Sequence, residues 1–426
     1  MMPPHNPPRG LLALLVVLVG AVCARTGPEL ARVDAAERSP FFHLRQRRPE
    51  SVGPAEETLE PEEIREVRIG YFGPSDPSDP VFGHMWRAAE LAVELANQQG
   101  GLSGKPFRLV PAWSANPWGT GVRQLVRAVY EERLRAIVGG VDSASTHLAE
   151  QVVAKARLVL VSPACSDKTA NLAGVPWIFS CLPGDHLQVI PLARAIARGR
   201  PRLVILAAAD QHDGRLFERE LTAALARHKL TPHYRFAFAS QALETEQLVR
   251  RVLAARPGTV AVAARAGASA QIVSALRRGG FSGEVFGGMW MARRRFLEDA
   301  GPSAEGVVFP LVWTRSGSSE PFVRLFRQRT GHEPDYAAAH TFDAVNLVIE
   351  AIRRAGLNRT RIRDAVAQLS PWGGVTGTIV WDPVGSNTRP VALGTIRDGR
   401  VELREGPPAS TRVKPASAET KGDALR

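Results

Sequence analysis

Hydroxyl-bearing residues gather at two places in this chain: Ser143, Ser145 and Thr146 in one, Ser166 with Ala164 beside it in the other. Each group directly follows a short apolar run, residues 136–138 and 158–161. Serine hydroxyls beside free N–H groups at a helix start suit an anionic partner such as a carboxylate. The same residues also serve as turn and helix-cap residues, and that reading stands beside the first. A nucleophilic reading exists too, because Ser143 and His147 fall at helical spacing and a nucleophile needs a base within hydrogen-bond reach. No Gly-x-Ser-x-Gly elbow accompanies them, and no glycine cluster forms Gly-x-Gly-x-x-Gly for a dinucleotide. An enzyme is therefore not expected, with a secreted hydrolase the weakest alternative.

The elements that position these groups are legible around them. Residues 146–155 carry Leu148, Val152 and Val153 at helical spacing without a breaker, so strand, turn, helix and strand follow one another. A helical crossover of that length joins parallel strands. Both hydroxyl groups then arrive at the carboxyl edge of one sheet, where open α/β sheets hold small ligands. Folded structure is expected from residue 67, with strands at 67–72 and 107–110 and helices ending at Gly100 and near Arg133. After a further strand at 178–181, Gly184 and Asp185 open a helix. The β-α pattern then restarts, with strands at 203–208, 233–238, 259–263 and 284–286. Helices return at 320–331 and 338–355, followed by turns and a strand at 372–382. Repeating β-α units imply mostly parallel sheets covered on both faces. Two such lobes joined without a long linker are hinged and not tethered.

At 426 residues the chain exceeds one ordinary domain. The formal charge of +12 comes almost wholly from arginine, since only six lysines are present. No basic block is interleaved with aromatics, so nucleic-acid binding is not expected. Arg9, an apolar run at 11–19 and small residues before Ala24 read as a secretory signal peptide over residues 1–24. Nine apolar residues are too few to span a bilayer. Cys23 admits a lipoprotein, but Val22 is a poor residue before a lipidated cysteine, and a soluble periplasmic protein is the expectation. Residues 25–66 pass from Arg45, Arg47 and Arg48 to an acidic block at 56–63, a composition that reads as a disordered linker. Residues 405–426 read as a disordered tail. Cys165 and Cys181 would remain in an oxidising compartment, either as a disulfide or as two buried thiols. No spaced His/Cys set is present, so neither metal nor cofactor is expected.

In order and spacing, several of these stretches resemble the leucine/isoleucine/valine type of extracytoplasmic solute-binding protein, the type I periplasmic binding proteins. They are Phe82-Gly83 with the helix running to Gly104, residues 137–146, residues 161–166, and residues 303–306 with 342–345. Residues 374–382 complete the set. The resemblance implies a two-lobed Venus-flytrap that closes over a small solute and passes it to the permease of an ABC importer, as a monomer. It implies lobe one from 67–183 and 312–374, and lobe two from 184–311 and 375–404. Ser143 matches the family's first carboxylate contact, and Ala164 and Ser166 match the second. Phe82 and Val141 match walls of the ligand side-chain pocket. Lobe two departs from the pattern. Asp213 and Arg265 stand where the family places tyrosines, and Met289 stands where an acidic residue holds the ligand ammonium. Asp213 then supplies negative charge from another direction, or Arg265 takes a second anionic group beside an apolar wall of Met289 and Trp290. The implied cargo is a branched-chain or other amino acid, or an amine-free carboxylate. A ligand sensor or accessory protein of the same fold, without transport, is the alternative.

Overall fold

The computed structural model describes residues 64–114, 116–172, 175–199 and 201–404. The signal peptide, most of the charged linker and the tail expected from sequence lie outside the described residues.

Two sheets account for nearly all strands. The first contains β1 (Val67–Phe72), β2 (Phe107–Pro111), β3 (Ala136–Gly139), β4 (Leu160–Ser162) and β5 (Ile178–Ser180) in the order β2-β1-β3-β4-β5. Every neighbour pair in it is parallel. β3, β4 and β5 are buried along their whole length, as continuous apolar runs covered on both faces must be. The coverings are α1 (Gly83–Gln98), α2 (Val122–Glu131), α3 (Ser143–Ala156) and the short α4 (Lys168–Leu172). α3 starts earlier than its apolar spacing suggests, because Asp142 caps it. The Asp142 carboxylate accepts from Ser145 N at 2.7 Å, and Ser145 Oγ accepts in turn from Asp142 N at 3.3 Å. This reciprocal capping box satisfies donors that the helix itself leaves free.

The second lobe begins with α5 (Asp185–Arg198) and β6 (Leu203–Ala208). It continues through α6 (His212–Arg227), β7 (Tyr234–Phe238), α7 (Thr245–Ala254), β8 (Thr259–Ala263), α8 (Ala266–Arg278), β9 (Glu284–Gly287), α9 (Arg294–Ala300) and β10 (Val308–Leu311). The chain then returns to the first lobe as α10 (Glu320–Thr330), α11 (Tyr336–Ala355) and α12 (Arg359–Gln368). Leu347 and Val348 of α11 share one core with Trp86 and Leu91 of α1. A hairpin of β11 (Trp372–Gly374) and β12 (Gly377–Ile379) follows, and the chain ends in the second sheet as the antiparallel pair β13 (Ala392–Arg397) and β14 (Arg400–Leu403). That sheet runs β14-β13-β10-β9-β8-β6-β7. The result is the two-lobed α/β fold expected from sequence.

The last crossing comes later than residue 375. Ile379 and Trp381 stay in the first-lobe core, and the second sheet is rejoined only at Ala392. The crossings are tied to one another: Asn387 Nδ2 donates to Cys181 O at 2.6 Å, and the Arg389 guanidinium donates to Val312 O. Cys165 and Cys181 are both free thiols, and both are buried.

Asp343 of α11 fastens the hairpin turn. Its carboxylate accepts from Val375 N at 2.8 Å, Thr376 N at 2.8 Å and Thr376 Oγ1 at 2.6 Å. Asp343→Asn would turn an amide donor toward one of these donors, at a cost of about 1–3 kcal/mol. Urea unfolding at neutral pH should show that loss; an unchanged midpoint would mean the turn does not depend on the carboxylate.

Candidate functional site

The carboxyl ends of β3 and β4 deliver two loops to the face where the lobes meet. Gly140 turns the chain out of β3 at φ +75°, and a Cβ there would stand 2.0 Å from Thr146 Oγ1. Only glycine suits that position, and it lets α3 start against the strand with Ser143 as its first residue. Ser143 and Ser166 are fully buried, and Ser166 N donates to Ser143 Oγ at 3.3 Å. The two hydroxyl groups singled out in the sequence are therefore one assembly.

Second-lobe residues complete it. Asp213, in the first turn of α6, is 2% exposed and accepts from Ser143 N at 3.3 Å. Asp185, the first residue of α5, is 1% exposed and accepts from Ser166 Oγ at 3.1 Å. Asp213, Ser143, Ser166 and Asp185 thus form a continuous polar line across the interface. Arg265 pairs with Asp142 of the first lobe and stands 3.5 Å from Asp213 Oδ2. Burial pushes the Asp185 carboxyl well above the usual carboxylate range, and the nearby charge of Asp213 pushes it further. Asp213 is also raised, by burial first and then by the charge of Asp142, with Arg265 opposing both.

Three acceptor atoms in this region are buried without a hydrogen-bond donor: Asp185 Oδ1, Asp213 Oδ2 and Gln188 Oε1. Gln188 belongs to the first turn of α5, and its amide donates to Pro183 O at 2.8 Å and lies 3.5 Å from Met289 Sδ. Val141 and Ala164 of the first lobe share one apolar core with Met289 and Trp290 of the second, and Phe82 packs against it. Of the eight residues proposed from sequence, Ser143, Ser166, Asp213 and Arg265 are thus joined by polar contacts between the lobes, and Val141, Ala164 and Met289 share one apolar core against which Phe82 packs. Asp142, Asp185 and Gln188 belong there too. The sequence offers a signal for Asp185 in its place soon after a strand and directly after Gly184; nothing comparable marks Gln188.

Further contacts hold the lobes together. Lys168 meets Glu220 at 3.1 Å, and Asp167 Oδ2 lies 2.8 Å from His212 Nε2. Arg293 pairs with Asp335 at 2.7 Å while donating to Val81 O. His147 does not serve Ser143: its ring nitrogens face Glu150 at 3.0 Å and Asp167 at 3.1 Å. The serine–base pair that a hydrolase would need is not formed.

A family model described as periplasmic binding protein matches residues 66–400. The chain belongs to the periplasmic binding protein family. Solved structures agree on the fold. A leucine binding protein from Thermotoga maritima superposes with a TM-score of 0.72 at 19% identity, covering 80% of this chain and 98% of that one. The substrate binding protein of a branched-chain amino acid transporter from Streptococcus pneumoniae, solved with isoleucine, gives 0.71 at 21%, covering 79% and 98%. A solute binding protein from R. palustris, solved with benzoate, gives 0.71 at 14%, covering 79% and 95%. An amino acid binding protein of Pseudomonas aeruginosa is 29% identical over 126 residues, which is 29% of this chain and 34% of that protein. The chain thus matches about a third of that relative's length. Among the described residues no helix is long and apolar enough to cross a membrane.

In this periplasmic binding protein, Arg265 offsets two aspartates on opposite lobes. Arg265→Gln removes that bridge and leaves Asp213 buried without its counter-ion, which favours separation of the lobes. Small-angle X-ray scattering should report a larger radius of gyration for the variant than for the parent; identical profiles would show that Arg265 does not hold the lobes together.

Proposed function

We propose that this protein captures a small amine-bearing solute, an amino acid in the first instance, between its lobes and delivers it to an ABC importer from the periplasm. The N-terminal signal peptide read from the sequence would supply export, and no catalytic step is involved. The observation that carries the reading is the pair of buried acceptors lacking donors, Asp185 Oδ1 and Gln188 Oε1, beside Asp213 Oδ2, which has the Arg265 guanidinium at 3.5 Å but no hydrogen bond. A buried acceptor without a donor is costly, and an ammonium or amide group offers the donors that these atoms lack. The charge balance supports the same choice. Asp142 and Asp213 face a single guanidinium, Arg265, so a ligand bringing only a carboxylate would add to an existing negative excess. A zwitterion adds none.

In this mechanism the ligand carboxylate takes the amide of Ser143 and the hydroxyl-lined loop of Ser166. Asp213, displaced from Ser143 N, turns to the ammonium with Asp185. Met289, Val141, Ala164 and Phe82 enclose the ligand side chain. Contacts to both lobes are complete only when the lobes meet, so binding favours the closed form. The amino acid binding named for the Pseudomonas aeruginosa relative accords with this reading.

Thermal unfolding against a ligand panel tests it, since a bound solute raises the melting point by mass action. Leucine-like amino acids should raise it, and their amine-free carboxylic acid analogues should not. Stabilisation by the amine-free acids alone would contradict the proposal. Asp213→Asn should weaken amino acid binding about 10- to 100-fold, the equivalent of one charge-assisted hydrogen bond. Ser143→Ala with Ser166→Ala should weaken it as well by removing both hydroxyls, and unchanged affinity in calorimetry would exclude the hydroxyls from the carboxylate site.

The pH dependence has a defined sign. Asp185 and Asp213 have raised pKa values, so they take up protons at higher pH than an ordinary aspartate. Once protonated they no longer attract an ammonium, and affinity for an amine-bearing solute should fall on acidification. A rise in affinity over the same range would point to an anionic ligand.

A further inference from the structure

At the rim of the interface, one residue along from the solute contacts on two of its loops, His147, Asp167 and His212 converge. Asp167 follows Ser166, and His212 precedes Asp213. One donor atom from each of the three lies within 4.8 Å of the others. We propose that these three side chains bind a divalent transition metal, zinc by preference, that bridges the two lobes.

The ligand chemistry points to that class of ion. Two imidazole nitrogens and one carboxylate oxygen form a borderline set that suits Zn²⁺ and leaves a fourth position open, whereas Ca²⁺ and Mg²⁺ take mostly oxygen. Asp167 Oδ2 stands 3.1 Å from His147 Nε2 and 2.8 Å from His212 Nε2. Bonds of about 2.0–2.1 Å in a tetrahedral site put donor atoms roughly 3.3 Å apart; both Asp167–imidazole separations lie within about half an ångström of that, and the two imidazole nitrogens, within 4.8 Å of each other, would draw together on the ion.

The surrounding groups hold the ligands in place as metal sites require. His147 Nδ1 is 3.0 Å from Glu150 Oε2. With that nitrogen donating its proton to Glu150, Nε2 faces Asp167 and can hold either a second proton or a metal ion in its lone pair. Asp167 Oδ1 accepts from Thr169 N at 2.8 Å and Thr169 Oγ1 at 2.7 Å, which leaves Oδ2 for the imidazoles. The His147 and His212 side chains are 27% and 36% exposed against 3% for Asp167, so the site opens to solvent on the imidazole side. His147 comes from α3 and Asp167 from the loop after β4, both in the first lobe, and His212 opens α6 of the second. A metal here therefore favours the state in which the lobes touch, and it does so whatever solute is bound.

Calorimetric titration of the chelator-treated protein with zinc chloride tests the proposal, with His147→Gln, His212→Gln and Glu150→Gln as variants. His84→Gln serves as a control, because His84 lies beside His332 elsewhere in the molecule. The parent and the control should bind one zinc ion, and zinc should raise their melting points. Glu150→Gln should lose roughly 10- to 100-fold in zinc affinity, and the two imidazole variants at least as much. The ligand imidazoles are partly exposed, so both variants should fold, and a normal circular dichroism spectrum checks this. No binding to the parent would overturn the proposal and leave a proton-linked hydrogen-bond cluster. Binding lost in His147→Gln but kept in His212→Gln would overturn the bridge between lobes.

Discussion

The candidate site at the junction of the lobes is built around one contact: the buried Asp213 carboxylate of the second lobe accepting from the amide of Ser143 at the start of α3 in the first. A carboxylate removed from water needs compensation, and the structure supplies it from several directions. The helix start offers a free N–H and a favourable dipole. Arg265 lies beside the second oxygen. Asp142 caps the same helix and anchors Arg265 from the first lobe. The glycine turn after β3 brings the helix start close enough for this to happen. An anion-binding helix start thus already holds an anion of the chain's own, and in the proposed function this is the carboxylate that turns to the ligand ammonium.

Much of the architecture is legible in the order of the residues. The runs at 136–138 and 158–161 are continuous and apolar because strands covered on both faces have no solvent side, and the hydroxyl residues after them mark the sheet edge. Ser143 and Ser166 stand out by their place after two apolar runs, and Asp213 and Met289 only through the resemblance to a known family. Their relations to one another do not. The bond from Ser143 N to Asp213 joins residues 70 apart in sequence, and no local pattern encodes which of several carboxylates reaches a given amide. The grouping of His147, Asp167 and His212 is hidden for the same reason, since its three residues come from two helix starts and a loop with no motif spacing.

Other differences are local. The turn at Asp398 and Gly399, with φ of 48° and 70°, links β13 and β14. An Asp-Gly pair, here between Arg397 and Arg400 with Ile396 and Val401 one position further out, is a hairpin signal present in the sequence. α12 is hard to recognise from its pattern because its apolar positions, Ile362, Ala365 and Val366, are few among charged residues. The hairpin at 372–379 stays with the first lobe because Asp343 gathers its turn, a contact 32 residues away from Val375.

A crystal structure of the protein grown with leucine would test the central claim most directly. The account predicts leucine between the lobes, its carboxylate on Ser143 N, and its ammonium within hydrogen-bond distance of Asp213 or Asp185. Leucine bound with Asp213 still on Ser143 N and the ammonium facing neither aspartate would contradict it.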